Sequence, residues 1–208
     1  MSPTSTVSAL TSGLACALLL ALTGAQLSGQ ADPPVITTTQ FGIGYVANAP
    51  DLLLGGSAYV ILPKWGGIGL YVDAKFDSSA PSDERGYDAT VTAADVEGEV
   101  EGSAFNRAES TWWSANAAVV RPFTRYFAAY IGGGVVTRTV FKLYTVPLDA
   151  PVGFGGVVWA EDPRDEETGF NFMIGGITRM TSHVSAQFGY ETQPGGVTAG
   201  LSLRIPRW

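Results

Sequence analysis

From residue 40 onward the chain repeats one pattern: about ten residues of strict apolar–polar alternation, then a cluster of turn-forming residues. Phe41, Ile43, Tyr45 and Ala47 share one face of the first such segment. Ile68, Leu70, Val72, Ala74 and Phe76 share one face of the third, opposite Gly69, Tyr71, Asp73 and Lys75. Val184, Ala186, Phe188 and Tyr190 alternate with Ser185, Gln187, Gly189 and Glu191 near the end. Period-two alternation predicts β-strands over 40–48, 52–62, 67–76, 109–121, 126–143, 168–180, 183–192 and 197–205. Asn48-Ala49-Pro50-Asp51, Pro63-Lys64-Trp65-Gly66, Pro122-Phe123-Thr124-Arg125, Thr181-Ser182 and Pro194-Gly195-Gly196 supply short connections. Two polar stretches, 77–108 and 144–167, read as long loops. Glycine pairs and β-branched residues break any 3.6-residue period, so no helix of ordinary length is expected.

Alternation alone does not say which face is inside. A soluble barrel turns its apolar face inward, whereas a membrane barrel turns it toward lipid. Three features favour the membrane. The third and fifth connections are long and the even-numbered ones are short, the order of a barrel with short turns on one side of a bilayer and longer loops on the other. Of the 19 acidic residues, nine lie in 77–109 and six in 144–167, which clears charge from the apolar strand faces. An Arg or Lys on a lipid face costs about 2–4 kcal/mol at midplane. Trp65, Phe123, Tyr126, Phe127 and Trp208 fall at one expected end, and Phe76, Trp112, Trp113, Phe141, Tyr144, Phe170 and Tyr190 at the other, as two interfacial belts.

Composition agrees. Of the 208 residues, 46% are hydrophobic and only 15% charged, and 26 are Gly. The mean hydropathy is +0.17. No apolar run after the N-terminus approaches the roughly 18 residues of a transmembrane helix. Residues 14–22 form a shorter apolar stretch followed by Thr23, Gly24 and Ala25, which reads as an export signal over 1–25, with a barrel domain over 26–208. The positively charged start typical of such signals is missing, and cleavage after Ala31 is an alternative. Cys16 is the single cysteine, so an intrachain disulfide and cysteine-built metal clusters are excluded. A net charge of -7 argues against a nucleic-acid partner.

The C-terminal run Thr198-Ala199-Gly200-Leu201-Ser202-Leu203-Arg204-Ile205, with Trp208 closing the chain, resembles the last-strand insertion signal of outer-membrane barrels. Gly200, Leu203, Ile205 and Trp208 are the residues that carry it. Pro206-Arg207 before the final aromatic departs from the pattern. The chain as a whole resembles the small eight-stranded barrels of the OmpX, OmpW and OmpA-transmembrane type. That resemblance implies residence in the cell outer membrane, contact with its lipid, and assembly by the barrel-insertion machinery.

The fold expected is therefore all-β: a closed, antiparallel, up-and-down transmembrane β-barrel of about eight strands. A bore of that size is just wide enough to be filled by side chains. Asp73, Lys75, Asn116, Arg138, Asn171, Gln187, Glu191 and Arg204 fall on inward faces. Buried charges must pair, so Asp73 and Glu191 are expected to meet Lys75, Arg138 or Arg204 in a polar plug. The function expected is structural or surface-interacting, without catalysis, cofactor or metal. A narrow pore for small or apolar solutes, as the OmpW resemblance implies, is the alternative. Glu97, Glu99 and Glu101 alternate and would share one face of a β-ribbon, a place for an extracellular ligand or Ca²⁺. His183-Val184-Ser185 resembles the His-x-Ser pair of outer-membrane lipid A deacylases, a remote enzymatic alternative; Ala186 stands where that family has Asn.

Overall fold

The computed structural model describes residues 39–49, 53–65, 67–77, 81, 86–148 and 156–205. All of them belong to one compact unit, Val35–Trp208. The expected signal segment, with Cys16, and Trp208 lie outside the described residues.

Eight antiparallel strands form the barrel: β1 (Gln40–Ala49), β2 (Leu54–Ile61), β3 (Gly69–Phe76), β5 (Ala104–Pro122), β6 (Phe127–Val146), β8 (Glu167–Arg179), β9 (Val184–Glu191) and β10 (Gly196–Ile205). Each pairs with its sequence neighbour among the eight, and β1 pairs with β10 to close the ring, Phe41 opposite Ile205 and Ala49 opposite Val197. Closure leaves no free barrel edge, which a hydrocarbon environment demands because no water is there to bond an unpaired strand.

The period-two pattern sets the two faces. Along β3 buried Gly69, Tyr71, Asp73 and Lys75 alternate with exposed Leu70, Val72, Ala74 and Phe76. Ile43 is 53% exposed, Leu201 58% and Leu203 63%. The apolar set therefore faces outward all round the ring, and the polar set faces the bore. Tight turns on the side of the chain's first strand start are built by side chains. Thr124 Oγ1 accepts from the backbone N–H of Tyr126 and Phe127, and Thr181 Oγ1 from those of His183 and Val184. We call this end periplasmic and the other outer.

The two stretches expected to be loops are largely structured at the outer end. β5 and β6 run 19 and 20 residues, against eight for β2 and β3, so the pair rises well past the rim. β7 (Gly156–Glu161) pairs antiparallel with the outer end of β6, and β4 (Tyr87–Thr92) pairs with β7 in parallel. Helix α1 (Ala93–Glu99) follows β4. Thr92 caps it by accepting from the Asp95 N–H, while Asp95 reaches back to Thr92 N, a reciprocal capping box. Ala93, Val96 and Val100 sit at helical spacing and pack on Tyr144, Val146, Val158 and Ala160. The expected ribbon carrying Glu97, Glu99 and Glu101 on one face is thus overturned: in a helix, residues two apart point to nearly opposite sides. The outer aromatic belt needs a correction too. Phe76, Trp113 and Phe170 face outward, but Phe141 and Tyr144 are buried within this platform.

The bore and the outer platform as candidate sites

Inward positions on different strands converge because register brings them level. Asp73 stands opposite Asn116, and Glu191 opposite Met173, so the outer half of the bore collects β3, β5, β8 and β9 side chains. Lys75 Nζ donates to Asp73 Oδ1 and to Glu191 Oε1, both at 2.6 Å. The three side chains are 0–1% exposed. Asn116 Nδ2 donates to Asp73 Oδ1 at 2.9 Å, and Asn171 Nδ2 to Asn116 Oδ1 at 2.9 Å and Glu191 Oε2 at 3.1 Å. The far lobe of Asn171 accepts from Thr192 Oγ1 and Gln193 N, which fastens the layer to the last outer turn. Asp73 Oδ2 has no partner among the described residues.

Below that charged layer the bore changes character. Gln187 Oε1 accepts from Ser57 Oγ at 3.0 Å and Tyr71 OH at 3.2 Å. The rings of Tyr71 and Tyr130 stack at 4.6 Å with 3° between planes. Tyr130 fits because Gly175 and Gly189 lie against its ring edge; a Cβ on either would meet the phenol within 2.4–2.6 Å. Tyr59, Ile61, Ala118, Val120, Ala128, Met173 and Ile177 complete an apolar collar. The periplasmic half of the bore is mainly aromatic and aliphatic. In so narrow a space each polar atom must find a protein partner, and aromatic rings fill volume without that demand.

Of the five charged residues expected to form one network, Asp73, Lys75 and Glu191 come together. Arg138 does not join them. It bonds Ser110 Oγ through Nε and Nη2 and lies over the Trp112 ring at 5.8 Å, above the layer. Arg204 sits at the periplasmic mouth with Nη2 3.4 Å from Gln40 Oε1. In β10, Gly200 pairs with Val46 and Gln187, and Leu203 and Ile205 face outward. The His183–Ser185 pair is not assembled: His183 is exposed in the turn with Nδ1 2.8 Å from Ser182 Oγ, while buried Ser185 contacts Tyr59 OH at 3.2 Å. Sequence reasoning missed Tyr59, Tyr71 and Tyr130 as bore-filling groups, although their phase already put them on inward faces.

The platform carries a second ionic network. Arg164 Nε donates to Asp162 Oδ1 at 2.8 Å and Nη2 to Glu97 Oε2 at 2.9 Å. Lys142 Nζ bonds Asp162, and Asp165 lies 3.2 Å away. Tyr144 OH donates to Glu97 Oε1 at 2.6 Å, so helix and hairpin are tied through one carboxylate. The Arg164 guanidinium, with Lys142 helping, holds the Asp162 carboxyl far below the usual carboxylate range. The Tyr144 hydroxyl and then Arg164 hold Glu97 down as well, and the Asp162 bond raises Lys142.

An outward apolar wall, a closed antiparallel ring and charges confined to the bore and to both rims define a membrane β-barrel of outer-membrane type. The chain is an eight-stranded barrel of this class. No family model matches the sequence, and no curated protein does. Among solved structures, it is similar to Ail, the attachment invasion locus protein of Yersinia pestis, at 12% identity over 80% of this chain and 97% of that one, with a TM-score of 0.46. Neisserial surface protein A is similar at 13% identity over 80% and 92%, with a TM-score of 0.28. Likenesses this slight add nothing to what strand closure and the apolar wall establish.

Proposed function

We propose that this protein is a plugged barrel whose task is to hold a folded platform above the outer membrane for surface contacts. The bore filling carries the reading. The Lys75–Asp73–Glu191 layer occupies the outer half, and the Tyr71–Tyr130 stack with its collar occupies the inner half. A solute would have to displace both. β5 and β6 extend far beyond what crossing needs, and their extension has its own small core under α1. Glu97, Glu99, Glu101, Glu109 and Glu161 decorate it, so a cationic extracellular partner suits it better than a polyanion. On this reading the last strand, with Gly200, Leu203 and Ile205, is the element the insertion machinery recognises, and outer-membrane lipid covers the wall.

Planar-bilayer recording of the refolded protein is the test. Silence is expected; discrete conductance steps would establish the pore instead. Heat-modifiable gel migration of the same sample verifies that the barrel is closed.

A further inference from the structure

The two ends of the barrel carry opposite charge. Lys64, Arg121, Arg125, Arg179 and Arg204 lie at the periplasmic end, and no Asp or Glu among the described residues does. Three of these arginines, Arg125, Arg179 and Arg204, line one recess at the mouth of the bore, together with Gln40, Tyr59 and Ser185. Among the described residues no carboxylate comes within ion-pair distance of any of the three. Arg179 Nε is spent on the Thr181 carbonyl at 3.1 Å, and Arg125 lies 4.6 Å over the Tyr126 ring. Among the described residues Arg204 Nη1 is buried without a hydrogen-bond partner, and Nη2 reaches only a long contact to Gln40.

A buried guanidinium N–H without an acceptor carries a desolvation cost that a bound acceptor would relieve. We propose that this mouth binds a single phosphate group. The planar guanidinium fork matches two oxygens of an oxyanion, and bonds between ions are the strong ones. Three guanidiniums round one recess place three positive charges about it, which suits the spread negative charge and tetrahedral oxygens of a phosphate group. About 350 Å³ of open recess lies among these side chains, room for a phosphate group entering from the open side. Ile61, Ala128 and Ile177 close the recess toward the bore, so the anion is held there and does not pass.

Free phosphate and the phosphodiester of a lipid headgroup share this chemistry, and one experiment separates them. The full chain is refolded in a non-ionic maltoside, its closure checked by heat-modifiable migration. It is then titrated in a calorimeter with inorganic phosphate and, separately, with short-chain phosphatidylglycerol. Saturable binding of at least one is expected, weakened about tenfold or more in Arg204→Gln and in Arg125→Gln. Lys64→Gln, outside the recess, should bind as the parent does. Arg125 sits in an exposed turn, so its variant keeps the test alive if Arg204→Gln does not close. Binding of phosphate alone identifies a soluble anion, and binding of the lipid only identifies a headgroup. Saturation by neither, or equal weakening in Lys64→Gln, overturns the site.

Discussion

The molecule holds the same ionic motif twice, a lysine between two carboxylates, in two different dielectric settings. In the bore, Lys75 lies between Asp73 and Glu191 with no side chain of the three more than 1% exposed. On the platform, Lys142 lies between Asp162 and Asp165, itself 19% exposed, with Asp165 at 56%. Distances are similar, so contact geometry does not separate them. What separates them is the fate of a survivor when a partner is removed. On the platform, water reaches the orphan and Arg164 still holds Asp162. In the bore, the carboxylates are buried and keep only the neutral amides of Asn116 and Asn171, so an uncompensated charge stays in a low-dielectric space. An ion pair's worth in this protein is set by what surrounds it.

The largest effect expected is from Lys75→Met, which leaves two buried carboxylates facing each other. Urea unfolding in detergent should show a loss of about 3–5 kcal/mol. A variant with Asp73, Lys75 and Glu191 all made apolar should regain most of it, because desolvation is then no longer opposed. A single-mutant loss near that of a surface pair would break the comparison. Glu191→Gln comes next: Lys75 keeps Asp73, the layer loses one negative charge, and the loss should be clearly smaller than for Lys75→Met in the same assay. Lys142→Met ranks third, at about 0–1 kcal/mol. Its effect should shrink between about 0.01 M and 1 M salt, as the screening length falls from about 30 Å to about 3 Å, whereas the Lys75→Met loss should not.

The smallest expected effect is in acid. Asp162 and Glu97 have folded pKa values below their unfolded ones, so their stabilisation is present above the ordinary carboxylate range. It is lost as pH falls from about 4 toward the depressed folded values. Amide exchange in α1 and the 162–165 turn should rise over that window while exchange in β3 and β9 stays slow. Simultaneous loosening of both would show that the platform is not an independent unit.

Much of the architecture was readable in advance because a strand's period is two and lipid enforces it at every outward position. Phe41, Ile43, Leu70, Val72, Leu201 and Leu203 could be assigned a face from phase alone. The platform was not readable in the same way. Thr92, Asp95, Ala93, Val96 and Val100 hold a capping box and a helical spacing, but a seven-residue helix amid acidic residues gives a weak periodic signal. The inward phase of Asp73, Lys75 and Glu191 was visible, while their meeting was not, since β3 and β9 are separated by more than a hundred residues.

The number of barrel strands, the direction each side chain takes from its strand, and which end of the barrel is acidic were all legible in the chain alone. These follow from local alternation and from where charges fall between turns. Only the tertiary structure decided that Arg138 and Arg204 stand apart from the Lys75 layer, that Tyr71 stacks on Tyr130, and that the long acidic stretches fold into a platform. Such outcomes depend on register and closure, which bring distant residues level and are properties of the whole ring.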